Sequence, residues 1–120
     1  MKIAISAHGP AINDRVDERF GRAIYLLIVD SETGSVEPLD NSINREALQA
    51  AGLGAAEIAS GHGVGAVITG HLGPKAYRAL RIAGIGGYKG TGLTVAEAVE
   101  RFRAGTLEAL DEGEAHAGMA

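Results

Sequence analysis

Three short glycine-rich segments hold most of the residues able to bind a ligand: Ala7-His8-Gly9-Pro10, Gly70-His71-Leu72-Gly73-Pro74-Lys75 and Lys89-Gly90-Thr91-Gly92. The imidazoles of His8 and His71 can ligate a metal or donate a hydrogen bond. Lys75 and Lys89 supply positive charge, and Gly70, Gly73 and Gly90, with Thr91 beside them, let backbone N–H groups approach a ligand. A fourth concentration lies in Asp14–Ala23, where Arg15, Arg19 and Arg22 surround Phe20-Gly21. A guanidinium fork suits an anionic ligand. Each feature also has a plainer reading. His8 and His71 can be polar loop residues, and Arg19 or Arg22 can pair with Asp17, Glu18 or Asp30 and do nothing more. His62 suits the end of a helix, where a cation meets the dipole, and His116 lies in the tail at no ligand spacing. Gly70–Lys75 is too short for a phosphate loop, and no Ser or Thr follows Lys75.

Composition removes several chemistries. The 120 residues contain no Cys, which excludes disulfides, thiolate metal sites and cysteine nucleophiles. Any metal must be held by His, carboxylate or backbone, or arrive already ligated. The net charge of −4 is concentrated in Thr106–Ala120, which holds Glu108, Asp111, Glu112 and Glu114 and no Lys or Arg. The remaining body is neutral, a poor basis for nucleic-acid binding, which needs clustered positive charge. Met1–Ile5 turns polar too quickly for a signal peptide, and no apolar run approaches the roughly 20 residues of a membrane helix. A soluble, cytoplasmic protein is expected. No Ser–His–Asp arrangement or carboxylate pair stands out, so the chain does not read as an enzyme.

Positioning the candidate residues falls to two alternating periodicities. Lys2–Ala7 and the apolar run Ile24–Asp30 read as strands, the second covered on both faces. Ser31–Gly34 is turn chemistry, and Ser35–Leu39 returns as the second arm of a hairpin, with Pro38 placing it at a sheet edge. From Glu46 the spacing of Leu48, Ala51, Gly52, Ala55, Ala56 and Ala59 predicts a helix with a smooth face, stopping near Ser60–Gly63. Gly65–Thr69 is a strand. Gly73-Pro74 opens a second helix, with Ala76, Ala79, Leu80 and Ala83 as its buried stripe and Gly84 at its end. Ile85–Tyr88 is a short last strand. Thr94 and Glu97 form a capping box for a third helix that buries Val95, Ala98, Val99 and Phe102.

The order β-β-β-α-β-α-β-α, with right-handed crossovers, leads to a mixed five-stranded sheet of order 3-2-1-4-5 with three helices on both faces. This is a ribonuclease-H-like α/β arrangement. Residues 1–105 are expected to form one domain and residues 106–120 an acidic, mobile tail. Ligands bind beyond the carboxyl ends of parallel strands where the strand order switches, and there the three glycine-rich loops converge. A nuclease would need acidic metal ligands, one of them in the first strand, and Lys2–Ala7 has no acid.

The run Arg19-Phe20-Gly21-Arg22-Ala23 followed by Tyr25–Asp30, together with Gly70–Tyr77, Thr91-Gly92 and Val95–Leu107, resembles the dinitrogenase iron–molybdenum cofactor biosynthesis family over about residues 1–110. The resemblance implies a small non-enzymatic carrier of an anionic metal–sulfur cluster, of the iron–molybdenum precursor or molybdenum–copper sulfide type, held non-covalently. Nitrogenase-cofactor carriers and the orange proteins of anaerobes belong to that family. Under this reading His8 and His71 ligate or hydrogen-bond the cluster. Arg19, Arg22 and Lys89 offset its charge, and the Gly73–Lys75 helix start donates N–H groups. Cluster donor and acceptor proteins are the implied partners, and a monomer or weak homodimer is expected, with no nucleic acid and no membrane. Many members carry His immediately before Phe-Gly, whereas this chain has Arg19, which keeps charge and loses an imidazole. The alternative is a regulatory or adaptor domain acting through protein contacts, with an ATPase as its partner. A small oxyanion or nucleotide binder ranks last.

Overall fold

The alternation of Ile3 and Ile5 against Ala4 makes Lys2–Ala7 (β1) a two-faced strand, and it lies in the middle of the sheet. The computed structural model describes residues 1–47 and 50–110. β1 pairs antiparallel with Tyr25–Asp30 (β2), with Ile3 opposite Val29 and Ile5 opposite Leu27. Val36–Asp40 (β3) closes the hairpin on the outer side of β2, so Pro38 sits on an edge strand as expected. Ala66–Thr69 (β4) lies parallel to β1, and Gly86–Lys89 (β5) parallel to β4. The order is β3-β2-β1-β4-β5, the mixed sheet that the hairpin and crossovers require.

Between the strands run Ser42–Arg45 (α1), Ala51–Gly61 (α2), Pro74–Ile82 (α3) and Val95–Arg103 (α4). One face of the sheet packs Ala4, Leu26, Ile28 and Val67 against Ala55, Ala56 and Ala59 of α2 and Ala76 and Leu80 of α3. The opposite face packs Ile3, Ile5, Leu27, Val29 and Ile68 against Val95 and Ala98 of α4. The small residues of α2 bring its backbone close to the sheet and to α3, where the short side chains leave room for dense packing. Thr94 accepts from the Glu97 N–H while the Glu97 carboxylate accepts from the Thr94 N–H, which confirms the capping box on α4.

Among the described residues, four helices stand where three were expected. The added one, α1, has four residues and buries none of them, so it has no apolar periodicity to read. The helix expected from Glu46 starts at Ala51 instead. Arg22 donates to the carbonyls of Arg45 and Ala47, which a continuous helix would have used for its own ladder. Leu48 lies outside the described residues. In α3, Ala79 is half-buried and Ala83 is exposed, because the helix ends at Ile82 and the chain turns away at Gly84, whose φ is +75°. Residues 106–110, expected as the start of the tail, run along β5. The Lys89 N–H donates to Glu108 O, the Leu110 N–H donates to Gly87 O, and Leu110 is buried. The remaining tail residues, His116 among them, lie outside the described residues. Among the described residues, no helix is long and apolar enough to cross a membrane.

Candidate ligand-binding cleft

The segment after β1 doubles back across the carboxyl ends of β1 and β4. The His8 N–H donates to Arg15 O and the Asp17 N–H to Ser6 O. Beneath it, Ser6 Oγ donates to Asp17 O at 2.7 Å and lies 2.7 Å from Thr69 Oγ1, all buried. Gly70 permits this crossing, since a Cβ there would sit 2.7 Å from Glu18 Cα. Arg19 and His71 then pair as a parallel bridge.

The next turn, Phe20–Ala23, is pinned by Asn41. This fully buried side chain donates to Gly21 O (3.1 Å) and Ala23 O (2.9 Å), and its own oxygen accepts from Asn44 Nδ2 (2.9 Å). Asn41 thereby satisfies two carbonyls that would otherwise be orphaned. Phe20 points into the core beside Leu72 and α2, with 2% exposure.

A cleft of about 620 Å³ opens between this turn, His71, and the N-termini of α2 (Ala50–Leu53) and α3 (Gly73–Ala76). Neither helix has an acid in its first turn, and among the described residues no side chain caps the N-terminal N–H groups of either. Both therefore direct the positive ends of their dipoles, and amide hydrogens without helical partners, at the same space. Arg19, Arg22 and Lys75 line it as cations, and among the described residues Glu18 is the single carboxylate on its wall. Gly73, where an added Cβ would meet nothing within 4 Å, leaves that rim open.

Asp17 underlies the wall. Its carboxylate is almost wholly buried and accepts from Arg19 Nε (3.2 Å) and Nη2 (3.1 Å) and from the Arg19 backbone N–H (2.9 Å). His8 Nδ1 lies 3.5 Å away from the same carboxylate. Burial pushes the Asp17 carboxyl up, but the Arg19 hydrogen bonds and the charges of Arg19 and His8 outweigh it and hold it below the usual carboxylate range.

The structure divides the expected site. Arg19, Arg22, His71, Gly73 and Lys75 line the cleft, and Gly70 supports it from below. His8 lines a separate concavity of about 410 Å³ with Arg15, Asp17 and Gly92, and Glu18 and Arg19 form the wall shared by the two. Lys89 and Thr91 line a third, of about 240 Å³, beside Arg101 and Glu108. Gly90 is buried, its N–H donating to Thr69 O. Among the described residues, no three His, Asp or Glu side chains come together to hold a metal ion. His62 Nδ1 lies 2.9 Å from Ile58 O at the end of α2, as a helix-terminal histidine should. Asp17 and Asn41 hold Arg19 and the Phe20–Ala23 turn in place without lining the cleft, and the α2 N-terminus lines it; none of them was singled out as a ligand residue. Their only local signals are a charged run and the glycines of Ala51-Gly52-Leu53-Gly54.

Known proteins share this architecture. The apo form of the orange protein of Desulfovibrio gigas superposes with a TM-score of 0.86 at 40% identity, covering 90% of this chain and 91% of that one. A NifB-like protein of Thermotoga follows at a TM-score of 0.78 and 34% identity, covering 91% and 92%. An uncharacterised protein of Methanocaldococcus jannaschii is 32% identical over 114 residues, 92% of each chain. The sequence model of the dinitrogenase iron–molybdenum cofactor family matches residues 1–105. The chain thus belongs to the dinitrogenase iron–molybdenum cofactor family.

Proposed function

We propose that the protein is a carrier that holds an anionic metal–sulfur cluster, non-covalently, in the cleft between α2 and α3. The observation that carries this reading is the convergence of two helix N-termini, uncapped among the described residues, with Arg19, Arg22 and Lys75 on one open space where Glu18 is the single carboxylate among those residues. Such a space favours a multiply charged anion over a bare cation. With no Cys in the chain, the cargo brings its own sulfide, as an iron–molybdenum–sulfur or molybdenum–copper sulfide species does. His71, exposed at the cleft wall, is the imidazole placed to ligate or hydrogen-bond it. Membership of the cofactor family and the likeness to the orange protein support the same assignment. Loading and release then require a donor and an acceptor protein, and an open cleft suits such exchange. His8, Lys89 and Thr91 line other concavities and are not needed to hold this cargo.

Anaerobic mixing of apoprotein with tetrathiomolybdate and copper(I) should give a coloured species that co-elutes with the protein. His71→Ala and Lys75→Glu should lose most of the uptake, and His8→Ala should retain it. Uptake that survives His71→Ala and Lys75→Glu but is lost with His8→Ala would place the cargo in the other concavity and refute the cleft.

A further inference from the structure

We infer that Asp17 is a positioning residue for the cargo cleft, acting through Arg19; this rests on the carrier reading above. Arg19 is 61% exposed, and a free side chain of that length loses rotamer freedom when a ligand fixes it. Here that freedom is already removed. The Nε and Nη2 hydrogens of Arg19 are committed to the two oxygens of one carboxylate, at 3.2 and 3.1 Å, and its backbone N–H binds the same group. The carboxylate itself has nowhere to go. Its side chain is 2% exposed, its backbone N–H is bound to Ser6 O, and its backbone carbonyl accepts from Ser6 Oγ. A rigid base made from the ends of β1 and β4 therefore fixes one edge of the guanidinium, and among the described residues no partner engages the Nη1 end, which is left for a ligand. Arrangement in advance of binding is where a ligand site gains affinity without adding a contact.

Charge alone predicts the opposite. Asp17 is a buried negative charge next to a site for an anion, so its removal should tighten anion binding. Positioning predicts that removal weakens it. The two effects have opposite signs, which makes Asp17→Asn decisive.

The test is a visible-absorption titration of apoprotein with tetrathiomolybdate for wild type, Asp17→Asn, Arg19→Ala and the double variant. Asp17→Asn should weaken binding about tenfold, within the range seen for directly coupled neighbours, although it makes the protein one unit more positive. In the Arg19→Ala background the same change should cost nothing further. Tighter binding by Asp17→Asn, or an equal loss in both backgrounds, overturns the inference. Should circular dichroism show Asp17→Asn unfolded, Arg19→Lys decides instead, being a change at an exposed side chain. It keeps the charge but cannot span both carboxylate oxygens, and it should bind as weakly as Arg19→Ala; wild-type affinity overturns the inference. Wild-type protein that takes up no thiomolybdate overturns the carrier reading itself, whereas uptake indifferent to Asp17 overturns the positioning role alone.

Discussion

The backbones of Gly21 and Gly52 meet so closely that a Cβ on Gly21 would lie 2.3 Å from the Gly52 amide nitrogen. This contact joins the turn carrying Arg19 and Arg22 to the first turn of α2, and so sets the width of the cleft. Gly21→Ala cannot be absorbed by a flexible side chain, because the atoms it meets are backbone. It should destabilise the fold by about 2 kcal/mol, as overpacking does, and a urea titration would read the loss. Thiomolybdate uptake by the folded fraction should fall as well, since α2 must retreat from the turn.

Asn41 holds the other side of the same turn. Asn41→Ala would leave Gly21 O and Ala23 O buried without donors, and should cost about 3 kcal/mol at the usual penalty for orphaned polar groups. Asn44→Ala removes only a bond to the Asn41 side chain, from a partly buried position, and should cost well under half as much. Equal losses in thermal melts of the two variants would contradict the role given to Asn41.

The acid limb of stability should report Asp17. Its folded pKa is held below the unfolded value of about 3.9, so between those two values the unfolded chain binds more protons. The stabilisation is present above pH of about 4 and is lost as pH falls through the folded value. Asp17→Asn should flatten the decline in unfolding free energy over that window, measured by urea unfolding at stepped pH. Part of the slope should remain. Glu97 is held low by the Thr94 backbone and side chain, and Asp30 by the backbone N–H groups of Glu32 and Thr33.

The sheet was legible because its signals are local. Pro38 marks an edge, Ile24–Asp30 reads as a buried strand, and Thr94 with Glu97 announces a helix start. The hairpin and right-handed crossovers then leave few topologies. What escaped depends on distant partners. No periodicity announces α1, and α2 begins late because Ala50 takes a left-handed φ of 59°, which no right-handed helix continues through; just before it Arg22, from more than twenty residues upstream, binds the carbonyls of Arg45 and Ala47.

Site residues follow the same rule. Loops at one sheet edge were expected to form one site, yet Arg19 and Glu18 stand between His8 and His71 and divide it. Lys89 closes β5 and lies with Arg101 and Glu108 rather than with the cleft. The alternating charges of Asp14–Arg22 have the pattern of a solvated loop, and nothing in the pattern distinguishes Asp17, which is 1% exposed, from Glu18, which is exposed. The pairing of Arg19 with Asp17 had the look of a bland surface ion pair. Burial of one partner makes it a fixed part of the cleft wall.

Ionic strength should discriminate among the cleft cations. Lys75 is exposed at the first turn of α3, and no hydrogen bond or ion pair engages its side chain among the described residues. Arg19 and Arg22 are instead partly committed to Asp17 and to the Arg45 and Ala47 carbonyls. Raising salt from about 10 mM to about 150 mM shortens the screening length from about 30 Å to about 8 Å. Wild-type affinity for tetrathiomolybdate should then fall about tenfold, the scale of electrostatic steering into a charged cleft. Lys75→Glu should bind more weakly at low salt and show a much flatter salt dependence, with its melting temperature little changed because surface charges contribute little to stability. Lys89→Glu, in the concavity beside Arg101, should leave both the affinity and its salt slope near wild type. A salt slope that responds to Lys89 and ignores Lys75 would move the anion away from the α3 N-terminus.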